Sequence, residues 1–147
     1  MANYHHILIA ADFSEHNEQV LARAKELAQS NQAKLSICHI IEDFPIADFA
    51  YEPMISIDMD MRDAMLKSGK KNITSAASPL AIPTENQWVE FGNPSHDIVR
   101  LAKENNVDLI IIGSHGRHGI QLLLGSTANA VLHHAKCDVL AVRLSEK

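Results

Sequence analysis

The chain of 147 residues has no cluster of lysine and arginine, no apolar run of bilayer length and only two cysteines. Each shortage excludes a class of function. Nucleic-acid binding draws its affinity from basic side chains that displace counterions. Here the net charge is −5, and the one adjacent basic pair, Lys70-Lys71, is expected on a solvated helix face. A membrane-spanning helix needs about 20 consecutive apolar residues, and no run approaches that length. The amino-terminal MANYHHILIAAD lacks the charged start and small-residue cleavage site of a secretory leader. A cytoplasmic location is therefore expected, with neither nucleic acid nor membrane as partner. Cys38 and Cys137 lie in the apolar runs SICHII and KCDVLAV without metal or redox spacing, so both are expected as reduced thiols in or beside the core. Two nucleotide signatures are also missing. There is no Gly-Lys-Ser/Thr of a P-loop, and the first strand-helix turn, Ala11-Asp12-Phe13-Ser14, has no glycine of a dinucleotide fingerprint.

What is present is the composition of one soluble domain, 46% apolar and 21% charged. Tyr4 to Ala11 reads as a first strand. Ser14 reads as the N-cap of a helix to about Ser30, with Val20, Leu21, Ala24, Leu27 and Ala28 on one face. Lys34 to Ile41 is a second strand, and Glu42 to Ile57, with Pro45 and Pro53, an irregular excursion. A helix over Asp58 to Ala77 follows, with Met61, Met65, Gly69 and Ile73 as its core-facing stripe. After a turn at Pro79 and Pro83, Gln87 to Phe91 is the third strand. Asn93-Pro94 opens a helix by N-cap and first-turn proline, and Asn105-Asn106 closes it. Val107 to Ile112 is a fourth strand with no polar alternation after Asp108, the pattern of a strand covered on both faces. A helix from about Ser126 to Ala135 and a fifth strand, Val139 to Leu144, complete the chain. This alternation predicts a single α/β domain, a doubly wound parallel sheet with right-handed crossovers.

In such sheets ligands bind at the carboxyl ends of the strands, where the strand order reverses. With order 3-2-1-4-5, Asp12 after strand one and Gly113 after strand four face each other across that crevice. Gly113, Gly116 and Gly119 can take positive φ and present backbone N–H groups to an anion. Gly125-Ser126-Thr127 opens a helix whose free N–H groups and dipole favour phosphate. The plainer alternative is turn punctuation and a simple cap. Asp12 has its own alternative, a helix-entry carboxylate contributing about 0.3–1 kcal/mol. His115, Arg117 and His118 on the glycine loop are either phosphate partners or solvated side chains. Nine histidines raise the question of metal, but His5-His6 and His133-His134 are adjacent pairs whose rings diverge on a strand or helix. No metal site is expected, and His39 is expected to be packed and hydrogen-bonded.

Three stretches resemble the universal stress protein family, and the resemblance spans essentially the whole chain: ILIAADFS, GNPSHDIVRLAKENNVDLIIIGSHGR and LLLGSTANAVLHHAKCDVLAVR. It implies a cytoplasmic, Rossmann-like fold of the adenine nucleotide alpha hydrolase type with strand order 3-2-1-4-5. It also implies a homodimer through strand Val139 to Leu144. The family's nucleotide-binding branch carries Gly, two residues, Gly, nine residues, Gly, Ser/Thr, which Gly113, Gly116, Gly125 and Ser126 match. One departure is clear: only the eight residues Arg117 to Leu124 separate Gly116 from Gly125. The resemblance implies ATP or AMP as ligand, with Mg2+ as the cation such a nucleotide carries. Asp12 would then bind the ribose hydroxyls as a two-oxygen acceptor, with Ala11 beside it among the nucleotide-binding residues, and main-chain groups at Ile40 or Ile41 would read the adenine edge. Gly113 and Gly116 would line the ribose-phosphate path, Gly125, Ser126 and Thr127 would hold phosphate, and His115 and Arg117 are counted with them as candidate nucleotide-binding residues.

The leading expectation is a regulatory module that holds an adenine nucleotide in a stress response. No paired carboxylates suggest a two-metal phosphoryl-transfer site, so no catalytic residue is assigned. Slow ATP hydrolysis or autophosphorylation on Ser126 or Thr127 is the enzyme-class alternative. A stress-response interaction protein that binds no nucleotide is the third.

Overall fold

All five residues of the first strand, β1 (His6–Ala10), are buried, which requires cover on both faces of the sheet. The computed structural model describes residues 3–13, 17–42, 54–114 and 125–144 and provides that cover. Around β1 stand α1 (Asn17–Asn31), β2 (Lys34–Glu42), α2 (Met54–Ala77), β3 (Gln87–Gly92), α3 (Pro94–Glu104), β4 (Leu109–Gly113), α4 (Ser126–His134) and β5 (Asp138–Val142). The five strands form one parallel sheet in the order β3-β2-β1-β4-β5. That is the expected order, with its reversal between β1 and β4.

Alternation along β1 divides the core in two. Ile7 and Ile9 join Ile37 and Ile111 on one face, under Val20, Ala24 and Ala28 of α1 and Ile73 and Ala77 of α2. Leu8 and Ala10 join Cys38, Ile40, Ile110 and Ile112 on the other, under Ile98, Leu101 and Ala102 of α3 and Ala128 and Val131 of α4. Successive side chains of a strand point to opposite faces, so an apolar run without alternation feeds both layers.

Two expectations about α2 are corrected. The helix begins at Met54, inside the stretch assigned to an irregular excursion; the remainder of that excursion, residues 43–53, lies outside the described residues. Proline is compatible with a helix start, so Pro53 did not argue against an early beginning. The proposed stripe is also split, because Gly69 and Ile73 are buried whereas Met61 and Met65 are 57% and 40% exposed. The inward face instead runs through Arg62, whose guanidinium carbon lies 4.1 Å from the centre of the Phe91 ring. At Gly69 the helix comes so close to the sheet that a Cβ would lie 3.0 Å from Val89 Cγ1 and 3.5 Å from Ile41 Cδ1. Ser14, the expected cap of α1, lies outside the described residues.

At the amino edge of the sheet, Asp108 accepts from the main-chain N–H groups of His5 (2.8 Å) and His6 (3.0 Å). The two rings separate as expected of neighbours on a strand, His5 exposed and His6 buried. His6 Nδ1 lies 3.0 Å from the Asn105 carbonyl and Nε2 lies 2.7 Å from Ser36 Oγ. A carbonyl only accepts, so Nδ1 carries the proton and Nε2 takes the Ser36 hydroxyl. Burial pushes the His6 pKa below its ordinary value, and the Asn105 carbonyl offsets only part of that. Because the folded pKa is lowered, His6's contribution to stability is full above about pH 6.5 and is lost as pH falls from there through the lowered value. Urea midpoints are accordingly expected to fall less between about pH 7.5 and 5.5 for His6→Asn than for the wild type. An equal fall in both proteins would contradict this.

Candidate functional site

The site is built where β1 and β4 end. Ala10 stands opposite Ile112 in their parallel register, so Ala11-Asp12 and Gly113-Ser114 leave the sheet side by side, as expected from the sequence. On the other side Ala10 stands opposite Cys38, and β2 continues through Ile40 and Ile41 past the end of β1. The two isoleucine side chains are buried in the core, 7% and 8% exposed, which leaves their main-chain groups. Ala11 N–H donates to the Cys38 carbonyl (2.9 Å). Main-chain groups of a strand alternate in direction, and those of Cys38 face β1, so those of Ile40 turn toward the end of β1 while those of Ile41 turn toward β3.

A clamp brings α4 to the same place. Ser114 N–H donates to the Val142 carbonyl (2.8 Å), and the Ser114 carbonyl accepts from Gly125 N–H. Leu144 N–H in turn donates to Ser114 Oγ at 3.4 Å. The start of α4 is thereby fastened to the end of β4. Gly125 is its N-cap, and it carries no side-chain hydrogen bond to the first turn. The first N–H groups of a helix have no intrahelical partner, and at α4 they stand beside exposed Ser126 and half-buried Thr127. The neighbouring helix is closed differently. Asn93 caps α3 by accepting from His96 N–H (3.2 Å), and Asp97 accepts from Asn93 N–H (2.9 Å). Gly92 makes this possible, since a Cβ there would collide with the Asp97 carboxylate. Asp97 also takes Arg100 Nε at 3.0 Å, while Arg100 bonds Glu90 (2.6 Å) and Glu104 (3.0 Å). Burial opposes the Asp97 charge, but Arg100 and the Asn93 N–H outweigh it and hold the carboxyl below its usual range. The α3 start thus has a side-chain cap of its own, whereas among the described residues no side chain caps the start of α4.

One expectation about the glycines is corrected. Gly113 ends β4 and Gly125 is extended at φ −61° and ψ 154°, and no described glycine has positive φ. Among the described residues of the rim, Phe13 is the left-handed one, with φ 56°. Parallel strand pairing holds Gly113 extended, and the sharp turn falls after Asp12 instead. His115, Gly116, Arg117, His118 and Gly119 lie outside the described residues.

Sequence reasoning named Ser114, Phe13 and Arg62 for no role. The first is the clamp, the second the turn, and the third covers Phe91, which is the register partner of Ile41. Their signals are spatial, although the placement of Ser114 between a strand end and a glycine loop was a usable hint. His39 is packed and hydrogen-bonded as expected: its Nδ1 lies 2.8 Å from the Ala11 carbonyl, and its ring meets Phe13 edge-on at 4.7 Å. Both cysteines are free thiols, Cys38 buried and Cys137 half-buried. Burial pushes the Cys38 thiol up to about 12 and raises that of Cys137, so neither supplies a thiolate nucleophile near neutral pH. Among the described residues no three His, Cys, Asp or Glu side chains come together to hold a metal ion. No helix among them is long and apolar enough to cross a membrane.

A family model described as the universal stress protein family matches residues 3–143. Universal stress protein A homolog 2 of Coxiella burnetii is 46% identical over 145 residues, covering 98% of each chain. Among solved structures, universal stress protein UspA from Lactobacillus plantarum is 26% identical, with a TM-score of 0.83 over 97% of this chain and 100% of its own. A universal stress protein crystallised in complex with cAMP is 25% identical, with a TM-score of 0.63 over 98% of this chain and 100% of its own.

Proposed function

Because the chain belongs to the universal stress protein family, we propose that it is a regulatory module that binds an adenine nucleotide, ATP or AMP, at the reversal of its sheet. The observation that carries this reading is the meeting of a carboxylate and an open helix start on adjacent strand ends. Asp12 follows β1, and the start of α4, which no side chain caps among the described residues, is clamped to Ser114 after β4. A carboxylate accepts two hydroxyl hydrogen bonds, which suits a ribose. A helix start with free N–H groups suits phosphate. The cleft-facing main-chain groups of Ile40 suit the adenine edge. The solved relative in complex with cAMP, itself an adenine nucleotide, supports the ligand class.

Gly113, Gly125, Ser126 and Thr127 would line the phosphate path, together with His115, Gly116 and Arg117 of the glycine loop. Mg2+ would arrive on the nucleotide's own phosphates, because it binds through few carboxylates and keeps several waters. The proposed assembly is a cytoplasmic homodimer joined along β5, which pairs only with β4 among the described residues and so offers its outer edge. Calorimetric titration with ATP, AMP and GTP tests the reading. Heat is expected for the two adenine nucleotides and little for GTP; no heat with ATP or AMP would overturn it.

A further inference from the structure

The turn that carries Asp12 is assembled around one imidazole from the neighbouring strand. Ala11 is the last residue of the first strand's run to be held by β2, through its N–H to the Cys38 carbonyl. Its own carbonyl, where the chain leaves the sheet, accepts from His39 Nδ1 at 2.8 Å. A carbonyl has no proton to give, so His39 is the donor. On the far side of Asp12, Phe13 holds φ at 56°, a left-handed conformation that a residue with a Cβ adopts at a cost. Its ring meets the same imidazole edge-on, with centroids 4.7 Å apart and planes 64° apart. The residues before and after Asp12 are thus both fastened to His39.

The imidazole is in turn confined. A Cβ on Gly69 would lie 3.7 Å from His39 Cδ2, so α2 packs close over the ring and limits its alternatives. Packing alone does not call for this arrangement. An apolar side chain at position 39 would fill the same space under α2, but it would leave the Ala11 carbonyl without its donor and the Phe13 turn without its stop.

We propose that His39 is a positioning residue that aims the Asp12 carboxylate, and so sets how strictly the site demands the ribose hydroxyls. This rests on the adenine-nucleotide reading given above. His39 acts through the backbone on either side of Asp12 and touches no ligand atom itself. Its loss therefore weakens recognition of the hydroxyls selectively, while contacts to base and phosphate are kept.

The test is calorimetric titration with ATP and with 2′,3′-dideoxy-ATP, read as the ratio of the two affinities. The wild type is expected to favour ATP by about tenfold to a hundredfold, the range for a hydrogen bond to a charged group. In His39→Leu the ratio is expected to fall close to one, through loss of ATP affinity with dideoxy-ATP affinity unchanged. His39→Asn, which places an amide N–H where Nδ1 stood, is expected to recover part of the ratio. A merely structural role would lower both affinities together and leave the ratio intact, and that result in His39→Leu would overturn the proposal. Should His39→Leu fail to fold, Phe13→Gly decides. Glycine accepts the left-handed turn and removes the ring contact, so the ratio is expected to drop severalfold, and an unchanged ratio overturns the proposal. Asp12→Ala separates the two levels of the argument. A ratio near one supports the ribose contact, so that a failure in the His39 variants then counts against positioning alone. A wild-type ratio in Asp12→Ala removes the ribose contact and the proposal with it.

Discussion

Asp12→Ala is expected to weaken ATP binding about tenfold to a hundredfold while leaving the fold intact. A hydrogen bond to a charged group contributes about 1.5–3 kcal/mol, and about 1.4 kcal/mol corresponds to a factor of ten. Asp12 is half-buried, and neither apolar layer of the core includes it. The substitution therefore removes a polar contact at the strand end without opening a cavity. The backbone that carries it keeps its bonds to Cys38 and His39. Titration of both proteins with ATP, beside their thermal midpoints, separates the effects. Equal affinities would remove Asp12 from the site, and a large drop in the midpoint would show that its role is in the turn instead.

The second large effect is on stability. Ile111 sits in β4 between Ile9 of β1 and Leu140 of β5, wholly buried in the layer under α1 and α2. Ile111→Ala removes three buried carbons and leaves a cavity that a sheet paired on both sides closes poorly. A loss of about 2–5 kcal/mol is expected, against a total stability of about 5–15 kcal/mol for a domain. That corresponds to a fall in melting temperature of roughly 5–15 °C. Leu132→Ala, at a position 44% exposed on α4, is the control and should change stability by no more than about 0.5 kcal/mol. Equal effects at the two positions would contradict the division of the core described above.

The parts of this fold that act locally are legible in the amino-acid order. The unalternated run after Asp108 marks a strand buried on both sides, and β4 occupies Leu109–Gly113. Asn93-Pro94 marks the start of α3 because the capping side chain reaches a donor three residues on. The strand order follows from alternation together with the family resemblance, and it places Asp12 beside Gly113. What fails to show is whatever depends on distance in space. The period of α2 suggests that Met61 and Met65 share a face with Gly69 and Ile73, yet they are exposed while Arg62 covers Phe91. Steps of four drift round a helix by about 40° each, so Met61 and Met65 have rotated off the inward face that Arg62, Leu66, Gly69 and Ile73 share. In the site, glycine identity pointed to positive φ at Gly113, whereas strand pairing extends that residue and puts the turn at Phe13. The Ser114 clamp and the His39 bond join residues remote in sequence, so local pattern hints at Ser114 and His39 but does not name their partners.

The central claim is that an adenine nucleotide lies between Asp12 and the start of α4. Its most direct test is a map of backbone amide chemical shifts in isotope-labelled protein titrated with ATP. The amides of Asp12, Ile40, Gly113, Ser114, Gly125, Ser126 and Thr127 are expected to move together and saturate with one affinity, while those at the amino edge, His6 and Asp108 among them, stay in place. Shifts confined to another face of the protein, or none at saturating ATP, would contradict the claim.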